Sequence, residues 1–102
     1  MTREQFLLIK LSEECAEVSQ RALKQIQFGI NEVQEGNPFT NAQRLKSELL
    51  DLFCIVKILE DSQAFEEFTG EEFDLALENK IKKLQKYVDY SYSLGVLPEI
   101  KI

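Results

Sequence analysis

Leu45-Lys46-Ser47-Glu48-Leu49-Leu50-Asp51-Leu52-Phe53-Cys54-Ile55-Val56-Lys57-Ile58-Leu59 is the stretch on which the fold turns. Its apolar residues do not alternate with polar ones, so a half-buried strand does not fit it, and a helix with most of its surface covered does. Two acids interrupt the run. Glu48 and Asp51 stand at i,i+3 spacing, which puts both on one side of a helix within reach of a common ligand. An ionised carboxylate among such neighbours is expensive to bury unless something compensates it.

Outward from this stretch, helix signals repeat. Thr2 precedes Gln5, Thr40 precedes Gln43 and Thr69 precedes Glu72 by three residues, the pattern of a capping box. The first helix is expected from Arg3 to Phe28, with Gly29 as its stop. Its apolar positions Phe6, Ile9, Leu11, Cys15, Val18, Ala22, Leu23 and Ile26 follow helical periodicity. A connector from Ile30 to Phe39 contains Asn31, Gly36, Asn37 and Pro38, which favour turns. It is longer than most helix–helix links, and either has a task of its own or spaces two antiparallel helices. The second helix spans Asn41 to Asp61. A break from Ser62 to Gly70 contains a short helical turn, Ala64 to Phe68, and a third long helix runs from Glu71 to Leu94, ending at Gly95. The reading is all-α: a helical bundle of three long helices plus a short one.

The 102 residues form one domain, 1–102, by the usual size of domains. So short a chain buries only about two-thirds of its unfolded surface, which makes a second subunit completing the core an expectation. The net charge of −6 argues against a nucleic-acid polymer as partner, because that surface needs excess lysine and arginine. A small phosphate-bearing ligand stays open, since metal ions invert local charge. Cys15 and Cys54 make no metal-like spacing and are expected as reduced thiols in the core. Arg3, Glu4 and Lys10 stand where a secretory leader needs an apolar run, and no stretch approaches the roughly 20 apolar residues of a membrane span. A cytoplasmic location is the expectation.

A second pair of acids shares the i,i+3 spacing of Glu48 and Asp51: Glu14 and Glu17, with Glu13 on the edge of that face. Alone, this pair reads equally as a solvated edge, with Glu17 paired to Arg21 and Glu14 to Lys10, each pair worth only about 0.2–0.5 kcal/mol. Two such strips on adjacent helices repel if they face each other uncompensated. A divalent cation converts that repulsion into coordination. With no histidine in the chain, the oxygen donors favour a hard ion such as Mg2+, with Mn2+ as a substitute.

Glu13-Glu14-x-x-Glu17 followed by Glu48-x-x-Asp51 resembles the EExxE…ExxD signature of the MazG-like all-α nucleoside triphosphate pyrophosphohydrolases. The resemblance covers the first two long helices and extends to the third. It implies Mg2+-dependent cleavage of a nucleoside triphosphate between the α and β phosphates, giving the monophosphate and pyrophosphate. By motif position, Glu14, Glu17, Glu48 and Asp51 are the implied metal ligands, and Glu13 an outer-shell group or base. It also implies a homodimer or homotetramer, because family members commonly build the site in a bundle of two chains.

Substrate phosphates also need cations. Asn79, Lys80 and Lys83 on the third helix resemble the Lys/Asn-containing element that contacts phosphates in the family. The competing reading is a solvated face, as for Lys82 (pairing with Glu78) and Lys86. Lys24, two turns beyond Glu17, is a further phosphate candidate or a plain surface lysine. Tyr87, Tyr90 and Tyr92, with Phe28 and Phe39, are candidates for stacking on a base, although aromatics at helical spacing more often form core or interface. The reading of another class is a non-enzymatic dimeric helical interaction module. A di-iron carboxylate bundle fits poorly, because such sites use Glu-x-x-His.

Overall fold

Each helix begins where a threonine can cap it. The Thr2 hydroxyl accepts the Gln5 N–H at 3.1 Å and the Gln5 side chain accepts the Thr2 N–H at 2.9 Å, a closed capping box that Thr40 and Gln43 repeat with the same distances. At the third start the Thr69 hydroxyl accepts the Glu72 N–H at 3.0 Å. The computed structural model describes the whole chain, Met1–Ile102, as α1 (Arg3–Phe28), α2 (Asn41–Asp61) and α3 (Gly70–Ser93). The fold is all-α. Its helix bounds match the expected ones to within a residue, and its only β pairing is the isolated Val33–Thr40 bridge.

The chain divides into two compact units, Met1–Glu67 and Phe68–Ile102. In the first, α1 and α2 form an antiparallel hairpin. Arg3 Nη1 donates to Ser62 Oγ at 2.6 Å, tying the start of α1 to the end of α2. At the other end Asn41 Nδ2 donates to the Gly29 carbonyl at 2.8 Å. The covered positions repeat at intervals of three and four, as an antiparallel helix seam requires. On α1 they include Leu7, Leu11, Glu14, Val18, Arg21 and Gln25; on α2 they include Asn41, Leu45, Glu48, Leu52, Ile55 and Leu59. Leu7 and Leu59 are the buried apolar residues, and Leu59 is wholly buried. The seam is thus apolar at the Leu7–Leu59 end, and from Glu14 and Glu48 to Arg21 and Asn41 it mixes these polar groups with Val18 and Leu45.

The connector is docked on α2. The N–H groups of Asn41 and Ala42 donate to the carbonyls of Glu32 and Ile30, each at 3.2 Å, and Asn41 Nδ2 also reaches Glu32 Oε1 at 3.0 Å. Asn41 is therefore buried with its amide donors used.

Two expectations need correction. Ala64 to Phe68 is not helical. Gln63 adopts a left-handed φ of 61°, and the Ala64 N–H returns to the Leu59 carbonyl at 3.1 Å, a C-terminal closure that directs the chain out of the helix. Cys15 and Cys54 are exposed, not core thiols. A two-helix hairpin covers one stripe of each helix, and both cysteines lie off that stripe, as do Phe6, Ile9, Leu23, Ile26, Leu50 and Phe53.

In the second unit α3 carries no buried residue. Gly95, at φ 74°, ends it with the Val96 N–H returning to the Ser91 carbonyl. The tail then folds back on the helix. Gln85 donates to the Ile100 carbonyl at 2.9 Å and accepts the Ile102 N–H at 2.8 Å, so one side-chain amide pairs with the extended tail as backbone would.

Candidate metal centre

Glu14 and Glu17 lie on consecutive turns of α1, and Glu48 stands across the seam on α2. One carboxylate oxygen from each falls within 4.8 Å of the others. This is where the two i,i+3 strips meet. Glu14 and Glu48 are half-buried and Glu17 is exposed. One oxygen of Glu14 and one of Glu48 are inaccessible and have no hydrogen-bond partner.

The electrostatics follow from that crowding. Burial raises the Glu14 carboxyl above the ordinary carboxylate range, and the charges of Glu17 and Asp51 push it the same way. Burial also raises Glu48, followed by its hydrogen bond to Glu17 and the charges of Glu17, Asp51 and Glu14. Like charges favour the neutral form of each acid, and a proton shared between carboxylates relieves part of the repulsion. A divalent cation would displace that proton and occupy the same position.

The donor set fits such an ion. Two oxygens on one octahedral Mg2+ stand about 3–4 Å apart, given metal–oxygen distances near 2.1 Å. Oxygens already within 4.8 Å need only small side-chain adjustments to close on one centre. The orphaned oxygens of Glu14 and Glu48 are the atoms a cation would satisfy.

No family model, curated protein or solved structure matches this chain.

The remaining expected residues are distributed as follows. Asp51 is exposed, and its charge acts on both Glu14 and Glu48, so it borders the cluster. Glu13 is exposed and its Oε2 pairs with Lys10 Nζ at 2.9 Å. The pairings Glu17–Arg21 and Glu14–Lys10 do not form: Glu17 is engaged with the other acids and Lys10 with Glu13. Lys24 lines a cavity of 370 Å³ bounded by the end of α1, the connector and the start of α2. Asn79, Lys80 and Lys83 lie in the second unit, exposed on α3, where Lys80 borders Phe73, Ala76 and Leu77, and Lys83 Nζ stands 6.0 Å from the Tyr87 ring centre. Lys82 pairs with Glu78 at 3.3 Å, as a solvated face would have it.

Two cations escaped the sequence reading as site residues. Arg21 follows Glu17 by four residues and Arg44 precedes Glu48 by four, so each sits one turn beyond an acid pair, towards the connector. That symmetric i±4 placement is the signal in the sequence that could have found them. Arg44 also borders a second cavity, of 440 Å³, lined by Asn37, Phe39, Gln43, Ser47 and Glu48. Phe39 is 54% exposed there, with its N–H bound to the Asn37 side chain.

Proposed function

We propose that this chain is a MazG-like, Mg2+-dependent nucleoside triphosphate pyrophosphohydrolase, cleaving its substrate at the α–β phosphoanhydride. The observation that carries the reading is the convergence of Glu14, Glu17 and Glu48 within 4.8 Å, with two buried oxygens left without partners. A solvated acidic edge would not leave carboxylate oxygens both inaccessible and unpaired. The motif order Glu13, Glu14, Glu17, Glu48 and Asp51 supports the same conclusion from the sequence.

In this reading Glu14, Glu17 and Glu48 would hold the metal and Asp51 would complete the set. Mg2+ bound there would neutralise charge on the phosphates and make the attacking water more acidic. Water oxygen forms a bond to the α-phosphorus, the bond from that phosphorus to the bridging oxygen breaks, and pyrophosphate leaves with the electron pair. Glu13, the exposed acid at the rim, is assigned to orient the attacking water and take its proton, a task that needs no histidine. Lys24, in the same compact unit as the acids, is assigned to the substrate phosphates, where positioning and charge neutralisation matter most. The cavity containing Phe39, Gln43 and Glu48 opens beside the cluster and suits a nucleoside portion.

We further propose that the working form is a homodimer or homotetramer. A seam with only Leu7 and Leu59 buried is a small core, and Leu50 and Phe53 on α2 are 54% and 60% exposed in the single chain. Those faces also suit a non-enzymatic dimeric interaction module, and the orphaned carboxylate oxygens favour the enzyme. The test is incubation with ribo- and deoxynucleoside triphosphates, with and without Mg2+, resolving products by 31P NMR. Monophosphate and pyrophosphate appearing only with the metal are expected. No turnover of any nucleotide, in a chain that assembles normally, would favour the interaction module.

A further inference from the structure

The cavity at the connector is unlike the rest of this acidic chain. It has a volume of 370 Å³, and Arg21, Lys24 and Arg44 all line it, against the single acid Glu32. Glu32 is already engaged: its Oε1 accepts the Asn41 side-chain amide at 3.0 Å. Arg44 is held in place by Gln34, whose Oε1 accepts from Nη1 at 3.1 Å. Arg21 is the unusual member. It is only 7% exposed and its Nη1 is buried with no hydrogen-bond partner. The acid one turn before it, Glu17, is drawn into the carboxylate cluster, and Gln25, one turn after it, leaves its own Oε1 unpartnered.

A buried guanidinium is retained when something satisfies it, and its planar fork matches the paired oxygens of a phosphate. We propose that this cavity is an oxyanion site that takes a phosphate or pyrophosphate group, with Arg21 as its buried anchor and Lys24 and Arg44 as flanking cations. The connector, by this assignment, is the wall of a binding site: Gln34 holds Arg44, and Glu32 is taken up by Asn41. The site does not depend on the carboxylates holding a metal. Arg21 and Arg44 stand four residues from Glu17 and Glu48, about 6 Å along each helix, so one polyphosphate could span both regions.

The test is titration of the full chain in EDTA and low salt with inorganic phosphate, pyrophosphate and a nucleoside monophosphate, followed calorimetrically and by amide shifts. Saturable binding is expected, tightest for pyrophosphate, weakened by salt, with shifts concentrated in residues 21–44. If the monophosphate binds better than pyrophosphate, the site is built for a nucleotide and not for a free phosphate chain, and the assignment to a phosphate group alone is overturned. Arg21→Gln should weaken binding by about tenfold or more, and Arg21→Lys by less, as loss of a charge-assisted paired contact predicts. Should Arg21→Gln fail to fold, Lys24→Gln and Arg44→Gln, both at half-buried positions, carry the test with several-fold losses each. Absence of saturable binding, unchanged affinity in Lys24→Gln and Arg44→Gln, or shifts confined to Lys80 and Lys83 would overturn the proposal. Because metal is excluded, failure here removes Lys24 from the phosphate contacts but leaves the carboxylate site and its metal-dependent turnover to be read separately, and failure of turnover leaves this site untouched.

Discussion

Replacing Glu48 by glutamine should make the metal-free protein more stable at neutral pH, although it alters a residue in the middle of the helix seam. Glu48 and Glu17 oxygens come within 4.8 Å. Two unit charges at that separation repel by about 0.9 kcal/mol in bulk water and about 3.5 kcal/mol at an effective dielectric of 20. Glu48 is only half-buried and shares a hydrogen bond with Glu17, so the lower limit governs, and the expected gain is about 1 kcal/mol. For a domain of this size that corresponds to a melting temperature higher by about 4–8 °C.

The pH dependence gives the prediction its sign. The folded Glu48 carboxyl is raised above its ordinary value, so the folded state binds the proton more tightly than the unfolded state. Its contribution to stability is therefore present below the ordinary carboxylate pKa and lost as pH rises through the raised one. Thermal melts followed by circular dichroism in EDTA should show Glu48→Gln ahead of the wild type at about pH 8 and level with it near about pH 4. In excess Mg2+ the order should reverse, because ligand at 100 times its dissociation constant stabilises the wild type by about 2.7 kcal/mol and the variant lacks the site. A variant less stable than wild type at pH about 8 without metal, or an equal difference at both pH values, would refute the reasoning about charge crowding.

Three further outcomes are expected. Asp51→Ala should retain helix content in circular dichroism while abolishing turnover and weakening metal binding; unchanged activity would remove Asp51 from the site. Leu59→Ala, at the one wholly buried side chain, should cost about 2–5 kcal/mol in urea unfolding, since the seam offers little to collapse into the void. Phe53→Asp, on an exposed face of α2, should shift sedimentation from oligomer to monomer while leaving the hairpin helical; an unchanged sedimentation coefficient would show that this face is not the contact.

How much of this was legible in the sequence depends on what fixes each feature. The bounds of α1 and α2 are set locally, by Thr2 with Gln5, Thr40 with Gln43 and the stop at Gly29, and such signals lie on the surface of the sequence. The end of α2 is closed by Gln63 in the left-handed conformation, where glycine normally announces the turn, so the extra helical turn at Ala64 to Phe68 was a reasonable and mistaken expectation. The i,i+3 strips of acids were visible, but which of their members converge depends on the stagger of two helices. That stagger brings Glu48 to Glu14 and Glu17 and leaves Asp51 at the border, while Glu13 pairs with Lys10 one turn away on its own helix. Cys15 and Cys54 lie outside the core because apolar neighbours in sequence do not specify which stripe of a helix a two-helix seam covers. Arg21 looked like the partner of Glu17 because i,i+4 geometry allows the pair. The cluster outcompetes it, and that competition is a three-dimensional fact.

The hydrolysis proposed for this chain depends on Glu14, Glu17 and Glu48 forming one cation site. Titration of the isotopically labelled chain with Mn2+, in competition with Mg2+, tests it most directly, because paramagnetic broadening locates the ion on the sequence. Saturable broadening is expected, centred on residues 14, 17, 48 and 51, reversed by Mg2+ and absent from Glu48→Gln. Broadening centred instead on Glu60 and Asp61 at the end of α2 and Glu66 and Glu67 in the segment after it, which line a 650 Å³ cavity, or no saturable binding at all, would contradict it.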